Sequence, residues 1–400
     1  MLQTSVQLYR NAYGGIPKPV WWLAVVMFVN RSGTMVIPFL TVYLTLRGHT
    51  LTEAGLVMAA FGAGAILGGF IGGKLTDRFG FFYIQVFSLL LNGVLFFVLS
   101  AMQSFVQIAA CIFVLSSVGE AFRPANAAAI AAYSDEGNRT RCYSLNRLAI
   151  NLGWAIGPAV GGILASINYS LLFWVDGVTC VIAAILLFIV LVPDKRKVLS
   201  VEQLKETGKN SAYRDKIFLK GMLFVFFTGF SFFQLFSIMP VYYKEQIHLS
   251  EVIIGWVLSL NGLLIALVEM VLVYKLENRR NSLTYIVWGA ILMGLSFLIL
   301  NVHHSLLIVL LSMIVITFAE MLLFPFLNNF WISRSTEFNR GQYAAVYTMA
   351  FAFAHVLAPT IASQVAVHYG FAILWIVDFI LCIIAATGFF ILLKQQKANE

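Results

Sequence analysis

Long apolar runs separated by short polar gaps extend over almost the whole chain. Twelve such runs can be distinguished, and each is long enough to cross the hydrocarbon core of a bilayer as a helix, which takes about 20 residues. The runs are too long for membrane strands and lack their alternation of apolar and polar positions, so the pattern predicts an all-α integral membrane protein. The predicted spans are residues 20–45, 52–75, 81–101, 104–133, 141–166, 169–192, 217–245, 250–274, 282–301, 304–333, 341–367 and 370–393.

The composition agrees with a protein that is solvated by the lipid bilayer. Of the 400 residues, 60% are hydrophobic and only 11% are charged, whereas a soluble domain carries about 25% charged residues. The net charge of +8 does not indicate a nucleic-acid partner, because the basic residues lie in short gaps between apolar runs rather than on one face of a compact domain. The four cysteines lack the spacing of metal ligands, so neither a metal nor a cofactor is predicted.

The distribution of Lys and Arg predicts the orientation of the spans. If both termini are cytoplasmic, all but five of the 26 basic residues lie on the cytoplasmic side. This bias favours a multi-pass protein of the plasma (bacterial inner) membrane with an even number of spans and both termini inside. The exceptions are Arg47 and Lys244 on the outer side, and Arg31, Arg123 and Arg147 within spans.

The second half of the sequence repeats the first at an offset of about 200 residues. Glycines, a proline, an acid and a tryptophan recur in the same order, which indicates a duplication. Because each half holds an even number of spans, the two halves share one orientation in the membrane. We expect an N-terminal six-helix bundle at 1–192, a cytoplasmic linker at 193–216 and a C-terminal six-helix bundle at 217–400. The recurring pairs include Gly55 and Gly255, Gly62 and Gly262, Glu120 and Glu320, Pro124 and Pro325, and Trp174 and Trp375.

The gap after the second span carries a recognisable motif. Residues 73–80 read Gly-Lys-Leu-Thr-Asp-Arg-Phe-Gly. This stretch resembles the cytoplasmic signature GxxxD(R/K)xG of the major facilitator superfamily, although two phenylalanines follow where the family usually has two basic residues. The resemblance implies a gating loop that latches the cytoplasmic side. Its residues are Gly73, Asp77, Arg78 and Gly80.

The fifth span is rich in glycine on one face. Its pattern resembles the antiporter motif Gx8Gx3GPxxGG of drug:proton antiporters in the same superfamily, with Ser144 in place of the first glycine. Two interpretations stay open: a tight helix interface of the general kind, or a bend and seal that favours exchange over symport. The matching residues are Gly153, Gly157, Pro158, Gly161 and Gly162.

The fourth span holds an acid and a base three residues apart. Glu120 and Arg123 can pair on one face of a helix. An ion pair inside a membrane is costly and is a functional hypothesis by default. It is either part of proton coupling or a structural salt bridge.

Four further acids fall within predicted spans. Glu320 corresponds to Glu120 in the repeat and has no basic neighbour on its own helix, which makes it the better candidate for a carboxyl that titrates during transport. Glu269 lies closer to the cytoplasmic end of its span and is a further candidate for proton coupling. Asp176 and Asp378 lie near the outer surface, where we expect water to hydrate them.

Several polar and aromatic residues are candidates for a substrate cavity. Arg31 falls near mid-membrane in the first span, which faces the central cavity in the superfamily that the motif resembles. An apolar, aromatic cavity with few polar groups suits amphipathic or lipophilic substrates. The candidate cavity residues are Asn30, Arg31, Asn126, Gln234, Asn328 and Trp331.

The resemblance implies two six-helix bundles that expose a central cavity alternately, without an enzymatic reaction. We expect a monomeric secondary transporter that exchanges protons for small amphipathic or lipophilic compounds and exports them. The motif GxxxxGK[ST] does not occur in the sequence, so ATP is not the expected energy source. The alternatives are a proton symporter, an exporter of a specific metabolite, siderophore or lipid, and a transport-inactive membrane sensor or scaffold.

Overall fold

The computed structural model describes residues 15–134, 138–191, 212–276, 279–335 and 340–399. Every regular element in these ranges is helical. The N-terminal part contains α1 (Lys18–Ser32), α2 (Val36–Leu46), α3 (Leu51–Phe79), α4 (Phe81–Ala101), α5 (Phe105–Glu120), α6 (Phe122–Tyr133), α7 (Arg139–Ile167) and α8 (Ser170–Val190). Most of the predicted linker, residues 193–211, lies outside the described residues, as does the side chain of Asp77.

The C-terminal part begins with a short 3₁₀ turn at Ala212–Arg214. Within the described ranges the two parts together supply 12 candidate membrane spans, which confirms the prediction of twelve helices. Side chains such as Phe87 and Ile189 are exposed on them, as expected for surfaces that face lipid. The helices of the C-terminal part are α9 (Lys216–Ser237), α10 (Met239–Glu245), α11 (Glu251–Leu276), α12 (Ser282–Ile299), α13 (Leu306–Arg334), α14 (Arg340–Tyr369) and α15 (Phe371–Asn399).

Three of the predicted spans are interrupted, which corrects the expectation of continuous helices at 20–45, 104–133 and 217–245. Each interruption lies just before a proline in the first turn of the next helix: Pro38 in α2, Pro124 in α6 and Pro240 in α10. Proline has no backbone N–H, and its ring clashes with the carbonyl four residues earlier, so the preceding helix ends there.

Contacts group the chain into two compact units. The first unit comprises Met1–Val36 and Gly64–Arg196, and the second comprises Ile37–Ala63 and Lys197–Glu400. The chain therefore passes from one unit to the other at three points: the start of α2, the middle of α3, and between residues 196 and 197.

The same helix pairings recur in both units, as expected from the duplicated sequence. In the first unit α1 packs on α7 and α8, and α4 packs on α8. In the second unit α9 packs on α14 and α15, and α12 packs on α15. The first, third, fifth and sixth spans of each half therefore share one packing plan.

A charged cluster fixes the start of α9. The carboxylate of Asp215 caps this helix by accepting the N–H groups of Ile217 and Phe218 at 3.1 and 3.0 Å. The same carboxylate forms a two-point pair with the guanidinium of Arg334, at 2.7 and 2.8 Å, and accepts the hydroxyl of Tyr343 at 3.0 Å. Bidentate pairs of this kind are stronger than single-contact ion pairs, so the cluster ties the start of α9 to the end of α13 and to α14.

We expect Asp215→Asn to destabilise the protein near neutral pH by about 1 to 3 kcal/mol, the cost of removing a charged hydrogen-bonding partner. Burial alone would raise the pKa of Asp215, but the bonds from Arg334, the amide of Phe218 and Tyr343 outweigh burial and hold this pKa below its usual value. The stabilisation is therefore present above the unfolded-state pKa of about 3.9 and is lost as the pH falls through the lower folded-state pKa.

Thermal unfolding of the detergent-solubilised protein over a series of pH values measures this effect. The parent and the Asp215→Asn variant should differ most near neutral pH and converge in acid. A difference that stays constant down to acidic pH would contradict the role of the ionised carboxylate.

Candidate functional site

Two glycines of the predicted antiporter motif pack against the interruption of the first span. A Cβ atom built on Gly153 would lie 2.5 Å from the Cβ of Arg31 and 2.9 Å from its carbonyl carbon. A Cβ on Gly157 would lie 3.0 Å from the carbonyl oxygen of Thr34. Helix α7 continues through Pro158, and Gly161 and Gly162 are buried. The glycine face thus allows backbone-to-backbone contact with the end of α1, which a side chain would prevent.

The interruption of the first span is held by an acid from the sixth. Asp176 of α8 is buried, and its two carboxylate oxygens accept the N–H groups of Met35, at 3.1 and 3.2 Å, and Val36, at 3.0 Å. The expectation that water hydrates Asp176 is therefore wrong. A carboxylate at a helix N-terminus satisfies free N–H groups and interacts favourably with the helix dipole.

Arg31 and Asn30 lie at the end of α1, next to this interruption. The Asn30 side-chain amide contacts the sulfur of Cys180 at 3.4 Å. Arg31 is half-buried, and its enclosed Nε has no hydrogen-bond partner among the described residues. Among the described residues, Glu120 and Arg123 are the charged side chains close enough to interact electrostatically with Arg31.

The predicted pair in the fourth span is formed at the interruption between α5 and α6. The Glu120 carboxylate lies 3.0 Å from the Arg123 guanidinium, and the exposed fractions of the two side chains are 18% and 71%. Glu120 is thus largely enclosed, whereas its partner Arg123 is exposed.

Asn126, a predicted cavity residue, is buried in a chain of amides. Its Oδ1 accepts a hydrogen bond from the side-chain amide of Gln85 at 3.1 Å, and its Nδ2 donates to the side-chain Oδ1 of Asn146 at 3.0 Å. These contacts join α4, α6 and α7, and they occupy both polar atoms of the side chain. In this conformation Asn126 therefore positions helices of the first unit.

The predicted gating loop consists of the last two turns of α3 and a one-residue turn. Gly80 separates α3 from α4 and has a φ of 88°, a backbone conformation that glycine adopts without strain. The guanidinium of Arg78 lies over the ring of Phe79 at 5.2 Å. A Cβ on Gly73 would meet no atom of the described residues within 4 Å, whereas one on Gly72 would meet Ala121.

Glu320 is buried in the second unit and contacts a polar side chain of the eighth span. The side-chain amide of Asn261 donates to Oε1 of Glu320 at 2.7 Å and to the hydroxyl of Thr317 at 3.1 Å. Glu269, the other predicted coupling acid of this unit, is buried on α11, the helix that also carries Asn261. Glu320 and Glu120 thus occupy equivalent positions in the repeat with different surroundings.

A continuous aromatic surface runs along α9, α13 and α14. Ring centroids are 4.8 Å apart between Phe232 and Phe324, and 5.7 Å apart between Phe324 and Phe351. The imidazole of His355 stacks on Phe233 at 4.0 Å with an angle of 2° between the rings. All seven side chains are half-buried. The aromatic surface consists of Phe232, Phe233, Phe324, Trp331, Tyr347, Phe351 and His355.

Sequence reasoning identified only Trp331 of this surface as a candidate. Tyr347, Phe351 and His355 follow one another at intervals of four residues and therefore share one face of α14. That spacing was a signal in the sequence from which they could have been predicted. His355 adds a titratable ring to a surface that is otherwise aromatic and apolar.

The remaining predicted cavity residues lie near the aromatic surface in sequence. Asn328 accepts the indole N–H of Trp331 at 3.2 Å. Gln234 is fully buried on α9, and neither polar atom of its side chain has a hydrogen-bond partner within the described part of the chain.

Comparison with known proteins identifies the family. The sequence profile described as Major Facilitator Superfamily matches residues 20–359, which is most of the chain. The chain belongs to the Major Facilitator Superfamily. It is therefore a multi-pass membrane transporter with the fold of this superfamily, in which two pseudo-symmetric bundles supply twelve helices.

Several relatives resemble this superfamily member over most of its length. The MFS-type transporter YqjV of Bacillus subtilis (strain 168) is 26% identical over 78% of this chain and 77% of its own. The Na⁺, Li⁺, K⁺/H⁺ antiporter of Planococcus maritimus is 25% identical over 86% and 88%. The quinolone resistance protein NorA of Staphylococcus aureus is 23% identical over 64% and 66%.

Solved structures show the same fold. A POT family transporter in complex with a thioalcohol-conjugated peptide superposes with a TM-score of 0.80 at 16% identity, over 97% of this chain and 98% of that one. A bacterial homologue of the human lysosomal transporter Spinster gives a TM-score of 0.76 at 13% identity, over 94% and 96%.

We expect Gly153→Val to destabilise the protein by about 1 to 3 kcal/mol, because the added atoms overlap the backbone at the end of α1. Gly73→Ala is the matched control, since a Cβ there meets no described atom within 4 Å and alanine favours a helix. Thermal unfolding in detergent measures both. Equal melting temperatures for Gly153→Val and Gly73→Ala would show that the glycine face does not require close contact.

Proposed function

We propose that the protein is a proton-coupled exporter, an antiporter of small amphipathic or lipophilic compounds that works by alternating access. It would lie in the bacterial inner membrane as a monomer with both termini in the cytoplasm. One observation carries the proposal: Glu320, a buried acid, lies one helical turn from Phe324, a member of the aromatic surface. A titratable group and an apolar binding surface are therefore adjacent.

The aromatic surface fits lipophilic substrates, and cationic ones in particular. Aromatic faces attract organic cations through the negative potential of their π-systems, with about 0.5 to 2 kcal/mol per contact. The half-buried rings leave part of their area for a ligand. Asn328, Gln234 and His355 would supply the few polar contacts that orient a substrate in such a site.

Proton coupling would follow from competition at Glu320. The ionised carboxylate attracts a cationic substrate bound on the adjacent rings, and protonation removes that attraction. A proton that enters from the outside would therefore release substrate there, and loss of the proton to the cytoplasm would restore the site. Glu269, on the same helix as Asn261, is a second acid that would take part in proton transfer.

The first unit would supply the gating and a second charged site. Glu120 would exchange its partner Arg123 for Arg31, the neighbouring cation, during the cycle. The loop with Asp77 and Arg78 would latch the cytoplasmic side, as the resemblance implies. The glycine face of α7 would let the interruption of the first span pack tightly during exchange.

Two relatives support exchange against protons and a link to drugs. One is an antiporter for Na⁺, Li⁺, K⁺ and H⁺, and the other is a quinolone resistance protein. The antiporter matches a larger share of the chain than NorA does, which favours monovalent cation/proton antiport as a second candidate function. The aromatic surface favours the lipophilic substrate.

We expect Glu320→Gln to abolish proton exchange, because glutamine keeps the shape of the side chain but cannot bind or release a proton. Everted vesicles are energised to an acidic lumen, and the loss of the pH gradient is followed after addition of ethidium. The variant should lose nearly all of this rate. Glu245→Gln, outside the candidate spans, is the control and should match the parent.

The same vesicles distinguish the alternatives. A gradient lost on addition of Na⁺, Li⁺ or K⁺ but not of ethidium would establish the second candidate function. A gradient that no cation or neutral metabolite dissipates would favour a sensor or scaffold, and equal rates for Glu320→Gln and the parent would refute the coupling role of Glu320.

We expect Phe351→Ala to weaken substrate affinity by about two- to tenfold, because one aromatic contact contributes about 0.5 to 1.5 kcal/mol. Phe353→Ala is the control, since Phe353 is on the same helix but 53% exposed and outside the aromatic surface. The apparent KM for ethidium-driven proton release measures both. An equal KM in the two variants would mean that the aromatic surface does not bind substrate.

A further inference from the structure

Asp378 is a buried acid of the twelfth span that the proposed transport cycle does not use. Its side chain has no exposed surface. Oδ1 accepts the hydroxyl of Ser231 on α9 at 2.9 Å, and Oδ2 has no hydrogen-bond partner among the residues that the structure describes. The expectation that water hydrates Asp378 is therefore wrong.

The helices packed against α15 present small or apolar groups near this acid. Cys382, one turn further along α15, is the neighbouring titratable group, and Gly294 of α12 packs against it. On the side of α14 and α9 an apolar cluster includes Ala354, Ala358 and Phe230, with Leu381 of α15 packed on it. Within the described ranges, Asp378 forms no ion pair with any Lys, Arg or His.

Asp176, the acid at the same place in the sixth span, provides an internal comparison. Its two oxygens accept three hydrogen bonds from two backbone N–H groups at the N-terminus of α2. Those groups and the helix dipole stabilise a negative charge. Asp378 has only one neutral hydroxyl in their place.

A charge at Asp378 would be far more costly than one at Asp176. An ionised carboxylate that is buried without a cation or several donors loses its hydration without compensation, and such groups become neutral by binding a proton. A neutral carboxyl needs fewer hydrogen-bond donors than a carboxylate. The single hydrogen bond from Ser231 satisfies Oδ1 of Asp378.

We propose that Asp378 is a proton-binding site of the second unit, occupied in this conformation. The carboxyl is neutral while α9 and α15 are packed together around it. It releases its proton to water, breaking only its O–H bond, in a conformation that hydrates the contact between these helices. The contribution of this site to transport rests on the proposed proton coupling, whereas its protonation does not.

Infrared difference spectroscopy of the whole protein in lipid tests the protonation. A protonated carboxyl absorbs through its C=O stretch, above the amide band, and an ionised one does not. The spectrum of the parent minus that of Asp378→Asn should contain this band, and the spectrum of the parent minus that of Asp176→Asn should lack it. Carboxylate bands without a C=O band in the Asp378→Asn difference would overturn the proposal.

A second variant keeps the test independent of how Asp378→Asn folds. Ser231→Ala retains the acid but removes its hydrogen-bond donor, so the carboxyl band assigned to Asp378 should shift to higher frequency. A band that does not move would mean that it arises from another acid.

Transport assays test the role of Asp378 separately from the proposed function. Asp378→Asn should remove most of the efflux driven by the pH gradient, while substrate counterflow without a gradient continues. Unchanged gradient-driven efflux would overturn the coupling role. If the parent moves no protons with any substrate, the proposed function fails, and the infrared bands still decide whether Asp378 carries a proton.

Discussion

The absence of water in a bilayer core forces every backbone polar group to find a partner inside the protein, and the rest of this structure depends on that constraint. Three spans are interrupted before prolines, and the first turn of a helix carries N–H groups without helical partners. At the first interruption the carboxylate of Asp176 satisfies two of those groups, and the glycine face of α7 brings a second backbone into contact. At this interruption two other helices therefore enclose the irregular backbone.

The two units share helix pairings but differ in their chemistry. The acid of the fourth span has an exposed arginine as its partner, whereas the acid of the tenth span accepts from an asparagine amide. The acids of the sixth and twelfth spans differ in the same way, since one binds backbone N–H groups and the other a single hydroxyl. Duplication therefore preserved the scaffold while the surroundings of equivalent carboxyls diverged, which allows equivalent acids to hold different protonation states.

The helices and their number could be predicted from the sequence because apolar length alone determines whether a segment spans the bilayer. The interruptions could not, since Pro38 follows a break between two helices whereas Pro158 and Pro325 lie inside continuous ones. The partners of Asp176 and Asp378 also depend on which helices are neighbours. Glu120 with Arg123 was predictable because the pair is local, whereas the amide chain through Asn126 joins three helices and has no local signal.

The cap on α2 lies at the position where the chain leaves the first compact unit, between Val36 and Ile37. The N–H groups of Met35 and Val36 at this crossing are bound by Asp176, a residue of the first unit. Without this carboxylate the first N–H groups of α2 would lose their charged partner in a bilayer core that holds no water, so the break in the first span depends on one side chain of the sixth.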